Sequence, residues 1–281
     1  MSGAASEAPP PEPALERWVR AFTAPSPAAP VDRFRRLLGA WTAVYVALRL
    51  PYVEELYGRD VLNDAPIRRW FDVGPPPPEL LLALMIALIV AALVGPWCRR
   101  ARAASLLVAL LFGAVASFET SPPRAYAALA LIQWFLLSCA YGRAEADGGR
   151  ATGWGARMLK LQYASVYLFA GLAKLCSPVW WGGAAIVYVL RSPDYGGLIV
   201  STDVEVPAAL ALLFAWATIL GEVFIAVGLW SERTRRWAIL GVVALHLSLL
   251  LTIRISLLFH ALMLLHLALF VRVPERTAAR R

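Results

Sequence analysis

The sequence predicts an all-α integral membrane protein, a bundle of about eight transmembrane helices with an interfacial helix in the 176–206 outer loop. Three observations carry this. Apolar residues make up 59% of the chain and charged residues 16%, against roughly 45–50% and about 25% in soluble domains. Mean hydropathy is +0.61. The apolar residues come in long runs, and a spanning helix needs ~20 of them, range about 17–25. This composition excludes a disordered chain and an ordinary cytosolic enzyme. It also excludes a nucleic-acid-binding protein despite a formal net charge of +8.

Residues 1–31 read as a disordered tail with a short amphipathic helix. Residues 1–13 are low-complexity. Leu15, Trp18, Val19 and Phe22 then fall at i, i+3, i+4 and i+7, opposite Glu16, Arg17 and Arg20. Such a helix lies on the membrane surface or folds back as a flap on the bundle. The segment has no apolar core of signal-peptide length, so no cleaved signal is expected. Residues 32–272 form the transmembrane domain, and 273–281 a basic cytoplasmic tail.

Eight candidate spans cover residues 33–50, 80–98, 103–118, 125–142, 157–175, 207–230, 236–252 and 255–272. Of 27 basic residues, 19 fall on one side of these spans and 6 on the other. By the positive-inside rule both termini are cytoplasmic. No internal repeat is evident, which argues against an inverted-repeat transporter. Two outer loops are long, 51–79 and 176–206. The first ends in Pro75 to Pro78, a polyproline II stretch that starts the next helix at Glu79. The second carries Trp180 and Trp181, then an apolar run from Ala184 to Leu190 too short to span.

Three cysteines, Cys98, Cys139 and Cys176, have neither disulfide nor metal-ligand spacing and read as packing residues. No metal is expected.

Ionisable groups inside spanning helices are expensive and mark function by default. Here they are Lys174, Glu222, His246, His260 and His266. At 100° per residue, Tyr163, Tyr167 and Lys174 share one stripe of the fifth span, with Gly171 as a gap beside it. The stripe suits a flat, partly polar ligand, with Lys174 as base; the alternative is that Lys174 snorkels to the outer interface. Depth along the helices places Lys174, His260 and Arg254 in one outer polar layer. It places Glu222 and His246 deeper and level with each other, so these two are expected to hydrogen-bond as a structural polar pair. His266 reads as an isolated, satisfied side chain near mid-depth.

The stretch from Leu159 to Leu190 carries a more specific signal. It holds Tyr167, the run Ala170-Gly171, then Lys174-Leu175, then Trp180, Trp181 and Gly183. This resembles the membrane domain shared by vitamin K-dependent gamma-carboxylases and the bacterial horizontally transferred transmembrane (HTTM) proteins. Weaker matches are Glu222, Arg233 to Arg236 and His246, and then Asn63, Asp64 and Pro66 in the first outer loop. The resemblance implies a bacterial inner-membrane protein acting on a reduced quinone of the vitamin K type at its extracytoplasmic side, a small quinol-dependent oxidoreductase or lyase. Lys174, as general base, and His260 are then the candidate catalytic residues. Tyr163, Tyr167, Gly171, Trp180, Trp181 and Arg254 are the candidate ligand contacts. The animal enzymes carry an Asn-His pair well before this lysine, whereas the first histidine here is His246. The alternative is a non-catalytic accessory protein that binds lipid or serves maturation or export of a secreted peptide. The expected partners are membrane lipid and a secreted peptide or lipid-soluble small molecule.

Overall fold

The computed structural model describes residues 13–57, 74, 76–119, 125–141, 150–195 and 203–271. Among these the chain is all-α apart from one short strand pair. Among the described residues, each of the eight candidate spans contains helix. Pro78–Trp97, Ala208–Gly228 and Arg235–Thr252 are long and apolar enough to cross a membrane. The outer-loop position of Asn63, Asp64 and Pro66 lies outside the described residues, as do residues 1–12 and 272–281.

Helix α1 spans Ala14–Thr23 and presents the expected apolar stripe, but none of its residues is buried. Leu15 is 69% exposed and Trp18 60%, so α1 is not a flap sealed onto the bundle. It is tethered instead. The Arg157 guanidinium donates to the carbonyls of Phe22 (2.7 Å) and Ala24 (2.9 Å). Just beyond, strand β1 (Ser26–Pro27) pairs antiparallel with β2 (Arg150–Ala151). Two-residue strands leave no periodicity to read.

Helix α2 runs Ala28–Ala47, starting five residues ahead of the expected 33. Pro27 holds the extended N-cap, and Pro30 falls in the first turn, where its missing N–H costs nothing. After the short α3 (Val53–Tyr57) the chain reaches Pro77, whose φ of −54° and ψ of 139° are polyproline II. Helix α4 then begins at Pro78, one residue before Glu79, and ends at Val94. Beyond Glu79 it is apolar all round. Leu81, Met85 and Leu88 are buried, while Leu82, Ile86 and Val90 are exposed on the other side. A helix with no polar face has no water-facing side, which fits a lipid surround.

Helices α5 (Ala101–Ser117) and α6 (Ala125–Ala140) follow, then α7 (Gly153–Leu175). The 176–206 segment forms α8 (Pro178–Trp181) and α9 (Ala184–Arg191), the latter on the expected apolar run. Gly183 between them has φ +79°, and a Cβ there would lie 2.7 Å from the Ala211 backbone. Only glycine makes this turn so close to its neighbour. The last helices are α10 (Ala208–Gly228), α11 (Arg235–Thr252) and α12 (Leu257–Leu265). The eighth segment is therefore not one continuous α-helix over 255–272. It tightens to a 3-10 turn over His266–Leu269, a common way to satisfy terminal carbonyls.

The core forms where α2 packs against α4, α6 and α12. Phe34, Leu38, Trp41 and Tyr45 of α2 share this core with Met85, Leu88 and Trp134, and Phe112 of α5 joins it against the Tyr45 ring. Two indoles make polar links within it: Trp134 Nε1–H donates to Thr42 Oγ1 at 2.9 Å, and Trp41 Nε1–H to the Leu258 carbonyl at 2.8 Å. Trp134 and Thr42 are fully buried. Thr42→Val keeps the shape and strands the Trp134 indole donor. It is expected to cost about 1–3 kcal/mol, read as a lowered melting temperature of the purified protein in detergent. Unchanged melting would show that the indole finds another acceptor.

Two cysteines depart from expectation. Cys98 and Cys176 are exposed on the chain's own surface, and only Cys139 is partly packed. Each of the exposed pair sits just past a helix end, where fewer neighbours cover a side chain.

Candidate functional site

Helix α7 supplies the frame of the site. It packs between α6 and α10, and its inward stripe carries Tyr163, Tyr167 and Gly171, all buried. The expected gap at Gly171 exists in the sequence but is not open to a ligand. Helix α10 fills it. A Cβ at Gly171 would lie 2.8 Å from Val223 Cγ2, 3.2 Å from Val223 N and 3.3 Å from Glu222 Cβ. The glycine thus lets two helices approach closely, as small residues do in membrane bundles.

That approach decides the partner of Lys174. One turn beyond Gly171, the Lys174 ammonium donates to both carboxylate oxygens of Glu222, at 2.7 and 2.9 Å. A weaker bond runs to the Ala170 carbonyl at 3.4 Å. The side chains are 19% and 9% exposed, so the pair is largely withdrawn from solvent. The amine also sits 5.2 Å from the Trp180 ring centroid, a cation–π contact. Trp181 does not join it. Its indole N–H donates to the Leu175 carbonyl at 2.7 Å and the ring is 48% exposed.

The expected Glu222–His246 pair is therefore replaced. The lysine's long flexible stem brings its ammonium to the carboxylate. His246 turns to other partners. Its Nε2 contacts the Tyr167 hydroxyl at 2.8 Å, and its Nδ1 contacts His260 Nδ1 at 3.0 Å. The Tyr167 hydroxyl is also 3.2 Å from that of Tyr163. Four buried side chains from α7, α11 and α12 thus form one hydrogen-bonded row.

The outer polar layer of Lys174, His260 and Arg254 does not form as a bonded unit. Lys174 binds Glu222 and His260 binds His246. Arg254 is exposed, and its backbone N–H donates to the Tyr195 carbonyl at 2.9 Å. Equal depth on separate helices does not place side chains on facing sides. His266 is satisfied at one ring nitrogen only, since its Nε2 is buried with no partner among the described residues. Its Nδ1–H donates to the Leu262 carbonyl one turn back, and its ring stacks on Tyr163 with centroids 4.6 Å apart.

Two further ionic groups escaped sequence reading. At one end of α2, Arg35 donates to the Pro96 carbonyl at 2.8 Å and lies over the Tyr141 ring. Tyr141 donates to Asp32 at 2.6 Å, and Asp32 is 3.6 Å from Arg35. At the other end, the Arg49 guanidinium lies 3.6 Å from the Tyr45 ring centroid and 3.6 Å from Glu119. The signal available was the i, i+4 spacing of Tyr45 and Arg49 on one helix face. The Glu119 contact joins residues 70 apart in the chain and had no local signature.

Residues 140–274 match the model of the HTTM domain. No curated protein and no solved structure matches the chain. The matched stretch holds Lys174, Glu222 and the whole row from Tyr163 to His260. With its apolar helices, this match makes the chain a membrane protein.

Proposed function

Through residues 140–274 the chain belongs to the HTTM-domain family, and from that premise we propose that it binds a reduced quinone or a similar lipid-soluble hydroxyl compound and removes its proton at Lys174 and Glu222. In this reading the protein is a bacterial inner-membrane bundle of eight spans with both termini cytoplasmic. The 176–191 helices lie at the outer interface, and the ligand enters from the outer leaflet. The reaction is that of a small oxidoreductase or lyase, with the quinol as reductant.

The observation that carries this is the Lys174–Glu222 pair itself, joined at 2.7 and 2.9 Å. Spanning a membrane does not require buried charge, and such groups mark sites of chemistry. An ammonium cannot accept a proton. The base function therefore belongs to the couple: either the Glu222 carboxylate takes the ligand's proton while the Lys174 ammonium stabilises the oxyanion, or the pair first passes its proton to Glu222 and the free amine takes the ligand's. Both routes end with a ligand oxyanion beside a protonated lysine, an electrostatic arrangement of the kind that lowers barriers most. The Trp180 ring over the amine supports a face for a flat ligand.

Lys174→Arg tests it. Arginine keeps the ion pair but never becomes a neutral base. Where the free amine takes the proton, oxygen-dependent consumption of a quinol by the purified protein is expected to fall at least ~100-fold, the range of general-base catalysis, with melting little changed; where Glu222 takes it, the arginine variant keeps turnover. Glu222→Gln is expected to lose turnover as well. Wild-type turnover in Lys174→Arg would reject a base role for Lys174. One observation favours the second reading, a non-catalytic accessory protein for lipid or a secreted peptide. Lys174 and Glu222 already satisfy each other, as an interhelical clamp would.

A further inference from the structure

Tyr163, Tyr167, His246 and His260 form a second polar unit, which the acid–base couple does not use. Their contacts are 3.2, 2.8 and 3.0 Å in order. Each residue is at most 3% exposed. His246 uses both ring nitrogens. His260 uses one, and its Nε2 is buried with no partner among the described residues.

The Nδ1···Nδ1 contact holds one proton, so one ring donates and the other accepts. Two arrangements of the neutral row satisfy every contact. In the first, Tyr167 donates to His246 Nε2, His246 Nδ1–H donates to His260, and His260 carries its own proton on Nε2. In the second each bond is reversed. His260 Nδ1–H donates to His246, His246 Nε2–H donates to the Tyr167 oxygen, and His260 Nε2 presents a lone pair. The open atom is thus a donor in one state and an acceptor in the other. A carbonyl or ether meets only the first state and an ammonium only the second. A hydroxyl meets both, because it donates and accepts.

We propose that His260 Nε2 is the recognition point for a ligand hydroxyl, with His246 and Tyr167 as positioning residues that set the ring's tautomer. His260 is the fourth residue of α12, within its first turn, and so lies near a helix end rather than at the bundle's mid-depth. The hydroxyl has two sources, an organic hydroxyl compound or water. The proposal rests on the quinol reading above for its choice of probe.

The test uses the full chain in lipid nanodiscs. Its probes are 2-methyl-1,4-naphthohydroquinone, held reduced under argon, and the dimethyl ether of the same compound, which can accept but not donate. The wild type is expected to bind the hydroquinone about 10-fold more tightly, because in the second state the hydroquinone donates to the His260 Nε2 lone pair and the ether cannot, a difference the size of one well-made hydrogen bond. His260→Phe, checked for folding by its melting curve, is expected to bring the two probes within about twofold. His246→Phe leaves the His260 ring in place but frees its tautomer, narrowing the preference to about threefold. A role in folding alone would not move this ratio. Equal binding of both probes by the wild type means that no ligand hydroxyl donates to His260 Nε2; it overturns the proposal without any variant. A folded His260→Phe protein that keeps the tenfold preference overturns it too. If hydroquinone binding depends on Lys174 and not on His260, this inference falls while the proposed function stands. If neither probe binds, both fall.

Discussion

Lys174→Met, with Glu222 left in place, is expected to destabilise the protein by about 3–5 kcal/mol. The substitution removes the ammonium that meets both oxygens of Glu222 and leaves a carboxylate whose side chain is 9% exposed. A buried charge without its partner carries nearly its whole desolvation penalty. The double variant Lys174→Met, Glu222→Leu removes both charges, and most of the loss is expected to return. Buried pairs replaced by apolar residues are often neutral or better. Thermal melting of the three proteins in one detergent measures this. A single variant that melts with the wild type would show that solvent or lipid headgroups reach Glu222 freely. This stability cycle is separate from the turnover assay, since Lys174→Arg preserves the charge and Lys174→Met does not.

Gly171→Leu is expected to have a comparable effect by a different route. Its Cβ alone would come within 2.8 Å of Val223 Cγ2 and 3.2 Å of Val223 N. The side chain of Val223 can turn away, but the backbone nitrogen cannot. The helices α7 and α10 must separate, and overpacking of this kind costs about 1–3 kcal/mol. Separation also pulls Lys174, one turn away, from Glu222, so the total is expected to exceed that range. Gly171→Ala is the graded control, with a smaller loss. Melting of both variants checks the order, and a Leu variant as stable as the Ala variant would mean that α7 and α10 are not held at this crossing.

The helices were legible because their signal is local. Runs of apolar residues, prolines at helix starts and the i, i+3, i+4 stripe of α1 all appear within a dozen residues of one another. So was the buried stripe on α7, since a fixed 100° per residue puts Tyr163, Tyr167, Gly171 and Lys174 on one face without reference to any other helix. The weaker points were boundaries. Pro27 and Pro30 look like a linker in sequence, yet they open α2. The last segment reads as one apolar run, yet it tightens into a 3-10 turn at His266.

The partners were a different matter. Sequence spacing gives each group a height along its helix, at 1.5 Å per residue. It does not give the rotation of one helix against the next, or which helices are neighbours. Spacing gives Glu222 and His246 similar heights and no facing directions, and the expected bond between them does not form. That the chain is an apolar helical protein with a few ionisable groups inside its helices follows from composition and periodicity, which depend on the order of residues alone. Only the tertiary structure decided that Lys174 binds Glu222 and that His246 joins Tyr167 to His260. Those contacts depend on the close crossing at Gly171 and on how α11 and α12 fold back onto α7, between residues 48 and 79 positions apart.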